Sequence, residues 1–341
     1  MQKSLAKNSI YNILYNIANI LFPFITSIYV SRILQPTGVG KVAAAQNIAS
    51  YFTTIAALGL PSYGVREFAK VRENKIERNR LFTELLLINF VSTTLAIVGF
   101  FGVVFFNAGF NGEWLLYAAC GVTVFFNYLN IDWMYQGLEE YGYITGRSLL
   151  IKSLSLVALL LLVRTRQDYV IYALISSFAI GSNYIFNVVH ARKFIRIDFH
   201  DIRVRRHIKP LILIAGIIFL GSIYSKIDIT MLNVMATDDS VGYYSYAQKT
   251  VNMVIVMTNA VTASLLPRLS YYYDNDRGEF YQLLDKGFQI LCLTTLPLTV
   301  GLFLVASQAV VFLYGEAFTP ASITIQLMCP LVLIKGFGNL F

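Results

Sequence analysis

The chain of 341 residues carries ten apolar runs that are candidates to cross a lipid bilayer as helices, although the fifth is short. About 20 mostly apolar residues span roughly 30 Å of hydrocarbon, where the backbone must satisfy its own hydrogen bonds. The sequence therefore predicts an all-α integral membrane protein. The predicted spans are approximately residues 10–33, 39–60, 81–105, 114–135, 148–163, 169–189, 210–235, 242–265, 287–305 and 322–341.

The shortage of charge supports this prediction. Charged residues make up 13% of the chain and hydrophobic residues 56%, and the mean hydropathy is +0.60. A soluble domain carries charge on about 25% of its residues. The composition therefore excludes an ordinary soluble enzyme, a disordered tail protein and a disulfide scaffold. The net charge of +8 lies mostly in short loops between apolar runs, which is typical of membrane topology rather than of nucleic-acid binding.

The Lys and Arg residues are concentrated in alternate predicted loops. By the positive-inside rule these loops are cytoplasmic, so we expect a cytoplasmic N-terminus and a basic cytoplasmic linker at residues 190–207. The loops without such clusters hold Arg164 and Arg166. The basic loops hold Arg66, Lys70, Arg72, Lys75, Arg78 and Arg80, then Arg147, then Arg192, Lys193, Arg196, Arg203, Arg205, Arg206 and Lys209, then Arg268, Arg277 and Lys286.

A short pattern repeats within the chain. Val39-Gly40 and Ala45-Gln46 recur as Val241-Gly242 and Ala247-Gln248, at an offset of 202 residues. The copies open spans two and eight, so both run through the membrane in the same direction. This predicts two parallel-repeat bundles around a central cavity. The first bundle comprises residues 1–207 with spans one to six, and the second comprises residues 208–341 with spans seven to ten.

Charged residues inside the spans are the candidate functional groups, because a charge at mid-membrane is costly. Lys226 and Asp228 lie in span seven and Lys249 in span eight. With a rise of about 1.5 Å per residue, Asp228 and Lys249 are predicted at a similar depth. Two interpretations remain: a structural Lys–Asp pair, or lysines that line a transport cavity. The net positive interior favours an anionic substrate. The further cationic candidates are Arg32, Lys41, Arg147 and Lys152.

Motifs for other chemistry are missing from the sequence. Gly38–Lys41 lacks the first glycine of a phosphate-binding loop, and the three cysteines are predicted to be core thiols. His190, His200 and His207 share one basic loop, where we interpret them as solvated side chains rather than metal ligands. The sequence therefore predicts a transporter without enzyme activity, metal or cofactor. Its motion would be driven by the substrate gradient or by coupling to H⁺ or Na⁺.

Several segments form an ordered pattern along nearly the whole chain: Arg32–Leu34, Gly38–Gly40 and Gln46, Tyr63–Glu67, Asp132–Trp133 and Gln136–Glu139, Gly242–Tyr244 with Ala247 and Lys249, Leu266–Ser270, and Tyr314–Glu316 with Phe318. Together they resemble the bacterial polysaccharide repeat-unit (Wzx-type) flippases of the multidrug/oligosaccharidyl-lipid/polysaccharide exporter superfamily. Gln35 departs from the family pattern, which usually has glycine there. The chain also supplies ten spans where the family has twelve to fourteen, and it ends inside an apolar run, which we interpret as a C-terminal truncation.

The resemblance implies a V-shaped cavity between the bundles. It also implies transfer of an undecaprenyl-diphosphate-linked oligosaccharide across the bacterial cytoplasmic membrane, for O-antigen, capsule or teichoic-type polymers. A polysaccharide polymerase is an expected partner besides the lipid bilayer. Lys226 and Lys249 would hold the anionic head, and Asp228 would neutralise a lysine or carry a coupling proton. The alternatives are a cation-coupled multidrug exporter, which would rely on Asp228 and Asp132, and a non-transporting scaffold.

Overall fold

A computed structural model describes residues 5–106 and 112–338 of the chain. These described residues form helices joined by short connections, and no strand occurs among them. Two short 3₁₀ turns, Asn127–Leu129 and Glu316–Phe318, join longer elements. The α-helices are α1 (Leu5–Ala57), α2 (Leu60–Val71), α3 (Lys75–Phe106), α4 (Trp114–Phe126), α5 (Asp132–Gly137), α6 (Tyr141–Leu162), α7 (Tyr169–Ala191), α8 (Arg205–Met235), α9 (Asp238–Asn275), α10 (Arg277–Tyr314), α11 (Ala321–Met328) and α12 (Pro330–Gly338).

The prediction of an all-α membrane protein is confirmed. Within the described ranges, seven segments are long and apolar enough to cross a membrane, and Trp114–Leu129 is a shorter apolar segment. One of the seven, Leu14–Val71, contains two of the predicted spans. Apolar side chains such as Leu220 and Leu293 are exposed on these helices, as expected where lipid surrounds the protein.

Several helices begin earlier than the hydropathy pattern predicts. Helix α6 begins at Tyr141, so Arg147 is a buried helical residue and not a loop residue. Helix α8 begins at Arg205, so His207 is helical and buried rather than solvated. At the other end of a predicted span, helix α9 continues to Asn275, so Arg268 is also helical. Hydropathy marks only the apolar part of a helix, and polar first turns extend beyond it.

Helix α1 is interrupted at Gln35, which has φ 59° and ψ 175°. This backbone conformation is almost restricted to glycine and costs an L-residue on the order of 1–3 kcal/mol. The Gln35 side chain offsets part of this cost by donating a hydrogen bond from Nε2 to the Arg32 carbonyl oxygen at 2.9 Å. The interruption lies between the two predicted spans 10–33 and 39–60, so it marks the boundary that the sequence placed there.

Residue contacts divide the chain into two compact units. The first unit comprises the residues up to Pro23 and Lys41–Ala236, and the second comprises Phe24–Gly40 and the residues from Thr237 onward. The first unit therefore includes α8. The division into bundles at residues 207 and 208 remains a prediction.

Two apolar clusters hold the first unit together. One is built on Trp133, whose ring contacts Phe68 and Phe82 with centroid distances of 5.4 and 5.8 Å. The other is built on Phe100 and on small residues of α1 such as Ala45 and Ala49, which are fully or almost fully buried. Small side chains allow close helix packing where lipid provides no hydrophobic driving force.

In the second unit, the two copies of the sequence repeat pack against each other through their glycines. A Cβ atom on Gly40 would overlap the Asp238 carbonyl oxygen, and one on Gly242 would overlap the Pro36 carbonyl oxygen. Asp238 and Gly242 follow Pro36 and Gly40 by 202 residues each, the offset of the repeat. The contact is therefore reciprocal between equivalent positions of the two copies. At the next position of each copy, Thr37 Oγ1 donates to Asp239 Oδ1 at 2.5 Å.

Candidate functional site

A cavity of about 470 Å³ lies within the first unit, between α1, α4, α7 and α8. Six hydroxyl-bearing residues contribute to its wall, together with one glutamine and one lysine. Its lining residues are Gln46, Ala49, Ser50, Thr53, Thr54, Ala57, Gly59, Pro61, Cys120, Thr123, Ser176, Ser177, Ile180, Ile218 and Lys226.

Helix α1 supplies the polar wall of this cavity as a regular stripe. Gln46, Ser50, Thr53 and Thr54 are spaced three and four residues apart, which places them on one face of the helix. The hydroxyls of Thr53 and Thr54 donate to the carbonyl oxygens of Ala49 and Ser50 at 2.9 and 2.8 Å. Because the protons of these hydroxyls are already used, their oxygens face the cavity as hydrogen-bond acceptors.

Lys226 brings a positive charge to the cavity wall from α8, and it is half-buried. Its Nζ donates to Ser50 Oγ at 2.9 Å, and Ser50 Oγ donates to the Asn47 carbonyl oxygen at 2.6 Å. Asn47 Nδ2 returns to α8, donating to the Lys226 carbonyl oxygen at 3.2 Å and to Thr230 Oγ1 at 2.8 Å. These bonds fix the two helices and hold the ammonium group at a defined point.

No carboxylate lines this cavity among the residues that the structure describes, and no ion pair there involves Lys226. The ammonium group has three donors, and Ser50 accepts one of them. The remaining donors and the uncompensated charge make this point of the wall attractive to an anion. The cavity therefore combines one cationic contact with a wall of neutral hydroxyl groups.

Arg147, another cationic candidate, lies in a different polar cluster. It is 8% exposed, and its guanidinium group lies 3.2 Å from Asp132 Oδ1. It also donates to the Asn187 side-chain oxygen and to the Asn183 carbonyl oxygen, the latter at 3.1 Å. Asn187 in turn donates to Asp132. These contacts cross-link α5, α6 and α7, and Asp132 is occupied by them.

Lys41 and Lys152 also have partners within the first unit. Lys41 forms an ion pair with Glu113, whose second oxygen accepts a hydrogen bond from the Tyr169 hydroxyl at 2.9 Å. Lys152 donates to the Asn19 side-chain oxygen. The structure does not bring either lysine to the cavity that Lys226 lines.

Arg32 and Lys249 belong to the second unit. Arg32 is exposed and donates to the Phe312 carbonyl oxygen at 2.7 Å. Lys249 is exposed, with its Nζ 4.6 Å from the centre of the Tyr246 ring. Asp228 is an exposed residue on α8 of the first unit. The pairing of Asp228 with Lys249, and the transport roles of all these residues, remain predictions.

A second buried polar cluster contains a histidine that the sequence placed in a solvated loop. Glu84 is fully buried, and its Oε2 lies 2.8 Å from His207 Nε2 and 2.7 Å from Arg206 Nη2. His207 Nδ1 lies 2.6 Å from the Tyr63 hydroxyl oxygen. The cluster joins α2, α3 and α8, so the prediction of a solvated His207 is wrong. Glu84 and Tyr63 lie 123 and 144 residues from His207 in sequence, so the loop itself gave no sign of them.

Among the described residues, no group of three or more His, Cys, Asp or Glu side chains is placed to hold a metal ion. The residues that sequence reasoning missed are the neutral ones, Asn47, Ser50 and Thr230. For the two on α1 the signal was present in the sequence: polar side chains recur at helical spacing through an otherwise apolar span, with Ser50 in the stripe that lines the cavity and Asn47 beside it.

The helical fold and the comparisons together define a multi-pass membrane transporter. The family described as "Polysaccharide biosynthesis protein" matches residues 5–273, and the chain belongs to this family. The predicted resemblance is thereby confirmed.

Individual relatives agree with this membership. The chain is 22% identical over 341 residues to the "Putative O-antigen transporter" of Escherichia coli (strain K12), covering 99% of this chain and 82% of the relative. Among solved structures, a multidrug resistance MATE family transporter of the MOP superfamily, in an inward-facing conformation, superimposes with a TM-score of 0.65 and 16% identity. That match covers 97% of this chain and 85% of the other, and it shows the fold alone.

Proposed function

We propose that this chain flips undecaprenyl-diphosphate-linked oligosaccharides from the cytoplasmic to the outer leaflet of a bacterial cytoplasmic membrane, for the synthesis of a surface polysaccharide. Its membership of the polysaccharide biosynthesis family supports this proposal. The mechanism we propose is alternating access, with the polar head in a wet cavity and the polyprenyl tail in lipid. The N-terminus is cytoplasmic in this proposal, as the loop charges predict.

The observation that carries the proposal is the position of Lys226 on the wall of a hydroxyl-lined cavity. A diphosphate-sugar head needs one strong cationic contact for its phosphates and many neutral partners for its hydroxyl groups. The free donors of Lys226 serve the phosphate, and the acceptor oxygens of Thr53 and Thr54 serve the sugar hydroxyls. A bound phosphate would accept hydrogen bonds from the ammonium donors that Ser50 does not use, so that Lys226 would gain a partner of opposite charge.

The alternative, a cation-coupled multidrug exporter, needs carboxylates that face its cavity. The described lining has none, and Asp132 is held by Arg147 and Asn187. The geometry therefore favours an anionic substrate. Coupling to H⁺ or Na⁺, with Asp228 as the carrier, is part of the proposed mechanism, and so is cooperation with a polysaccharide polymerase.

The test is substitution of Lys226 in a strain that depends on this chain for its surface polysaccharide. We expect Lys226→Gln to reduce polysaccharide at matched protein levels by tenfold or more, because one charge-assisted contact contributes about 1.5–3 kcal/mol. Lys226→Arg should retain much of the activity, since the positive charge remains. Lys286→Ala is the matched control, because Lys286 is an exposed lysine on α10.

Three results would contradict the proposal. If Lys226→Gln produced as much polysaccharide as the control variant, the cavity would have no role in holding the head. If all variants retained polysaccharide but lost drug resistance, the multidrug alternative would replace it. Reconstituted vesicles that bind the lipid-linked sugar without moving it between leaflets would indicate a scaffold instead.

A further inference from the structure

The connection between α7 and α8 is held firmly against α3. Three of its backbone amides donate to side chains of that helix, spaced along slightly more than one turn. The bonds run from Arg196 N to Asn79 Oδ1 (3.1 Å), from Asp198 N to Thr83 Oγ1 (3.0 Å) and from Arg203 N to Glu84 Oε1 (2.6 Å). The segment 196–203, called the anchor loop below, therefore presents a defined surface.

Two large apolar side chains project from this surface. Ile197 is 58% exposed and Phe199 is 66% exposed, although both lie in a segment rich in charge. The charges prevent the loop from entering the hydrocarbon core of a membrane. An aromatic and an aliphatic side chain exposed together beside charged groups is typical of segments that lie at the boundary between headgroups and acyl chains.

The charge around these side chains is strongly positive. The anchor loop itself holds two Arg and two Asp residues, but residues 192–209 contain seven Lys and Arg residues and two Asp residues, which gives a net charge of +5 with histidine neutral. The buried Glu84 offsets one of these charges through Arg206. Both carboxylates have partners: Asp198 lies 3.0 Å from His200 Nδ1, and Asp201 lies 3.1 Å from Arg203 Nη2 and 3.2 Å from Arg80 Nη1 of α3. Hydrogen bonds from the backbone and ring of His200 lower the pKa of Asp198, and those from Arg203 lower the pKa of Asp201. Both carboxyl groups therefore stay ionised and engaged.

We propose that the anchor loop is a docking surface for anionic phospholipid headgroups, with Ile197 and Phe199 inserted at the level of the first acyl carbons. Charge complementarity selects this occupant, because each Lys or Arg near an anionic membrane surface is attracted to it. The exposed cations that would contact the headgroups are Arg196 and Arg205, which lie on either side of the two apolar side chains and form no ion pair among the described residues, whereas Arg203 is held by Asp201. This surface is separate from the cavity that Lys226 lines.

The proposal can be tested by tryptophan quenching in lipid nanodiscs. The variant Phe199→Trp is prepared with Trp114→Phe, so that the buried Trp133 is the remaining native tryptophan. Quenching is measured with brominated phosphatidylglycerol and with brominated phosphatidylcholine. The matched control is Gln167→Trp, in the exposed connection before α7, in the same background.

We expect brominated phosphatidylglycerol to quench the Phe199→Trp fluorophore at least twofold more strongly than brominated phosphatidylcholine does. The control tryptophan should show no such preference. When Arg196→Gln and Arg205→Gln are added to the Phe199→Trp variant, its preference for the anionic lipid should fall, and 0.5 M salt should weaken it further. Unchanged thermal unfolding of each variant would show that the fold is intact.

Three results would overturn the proposal. Equal quenching by both lipids would show contact without recognition of charge. Weak quenching by both lipids with strong quenching by aqueous iodide would place Phe199 in water. Protection from lipids and iodide together would show that protein covers the loop. None of these outcomes depends on transport, so each is distinguishable from a failure of the proposed flippase function.

Discussion

Replacing Gly242 with alanine tests whether the two copies of the repeat meet backbone to backbone. An alanine Cβ there would lie 3.2 Å from the Pro36 Cα and closer still to the Pro36 carbonyl oxygen. The Cβ would lie about 1 Å inside ordinary van der Waals contact with that oxygen, so the two segments must separate by about 1 Å. Overpacking of this kind costs about 1–3 kcal/mol.

Alanine stabilises a helix by about 0.5–1 kcal/mol relative to glycine, which offsets part of this cost. The net loss in the free energy of unfolding for Gly242→Ala should therefore be about 1–2 kcal/mol. Gly40→Ala should cost at least as much, because its Cβ would overlap the Asp238 carbonyl oxygen and lie 3.0 Å from the Gly242 amide nitrogen. The two changes affect one contact. Once the first has separated the segments the second adds little, and the double variant should lose less than the sum.

The matched control is Gly301→Ala in α10 of the same unit, where an added Cβ meets no atom within 4 Å among the described residues. This variant should be neutral or slightly stabilised. Thermal unfolding in detergent can be followed with a thiol-reactive dye, since Cys120 and Cys329 are buried until the protein unfolds. If Gly242→Ala unfolds at the same temperature as Gly301→Ala, or if the double variant is fully additive, the close reciprocal contact is refuted.

Two further predictions concern Arg147 and Gln35. Arg147→Met should destabilise the first unit by about 3 kcal/mol, because it leaves the partly buried Asp132 carboxylate without its cation. The double variant Arg147→Met/Asp132→Leu should recover part of this loss. Thermal unfolding that is unchanged in the single variant would contradict the role of the ion pair. Gln35→Gly should raise the free energy of unfolding by about 1 kcal/mol, because glycine adopts φ 59° without strain. Gln35→Val should lower it. If denaturant unfolding showed Gln35→Val to be more stable than Gln35→Gly, the backbone at the kink would not be strained.

Hydropathy was sufficient to predict the helical fold, because an apolar run of this length can cross a membrane as a helix that satisfies its own backbone hydrogen bonds. It failed at the helix ends. The first two turns of α6 carry glycine, tyrosine and Arg147, which lower the local hydropathy although the backbone is already helical. Packing against neighbouring helices, which stabilises such polar turns, is not visible in a single segment of sequence.

Of the candidate site, only the charged residue Lys226 could be predicted from the sequence. Lys226 was identified because a charge within a span is costly, whereas Asn47 and Ser50 are inconspicuous until α1 and α8 are brought together. The partners of Arg147 could not be deduced for the same reason. Asn187 is 40 residues away from it, and only the packing of α6 against α7 brings the two side chains into contact.

The hydroxyl groups on the cavity wall have a consequence for the speed of passage. The threonine hydroxyls of α1 donate their protons to backbone carbonyl oxygens of the same helix, and Thr123 of α4 likewise donates to the Cys120 carbonyl oxygen at 2.6 Å. A sugar that moves along such a wall exchanges one weak oxygen contact for another of similar strength. Under the proposed function, such a wall would bind no sugar tightly, so that many different glycans would pass it, and the ammonium group of Lys226 would bind the phosphate that they share.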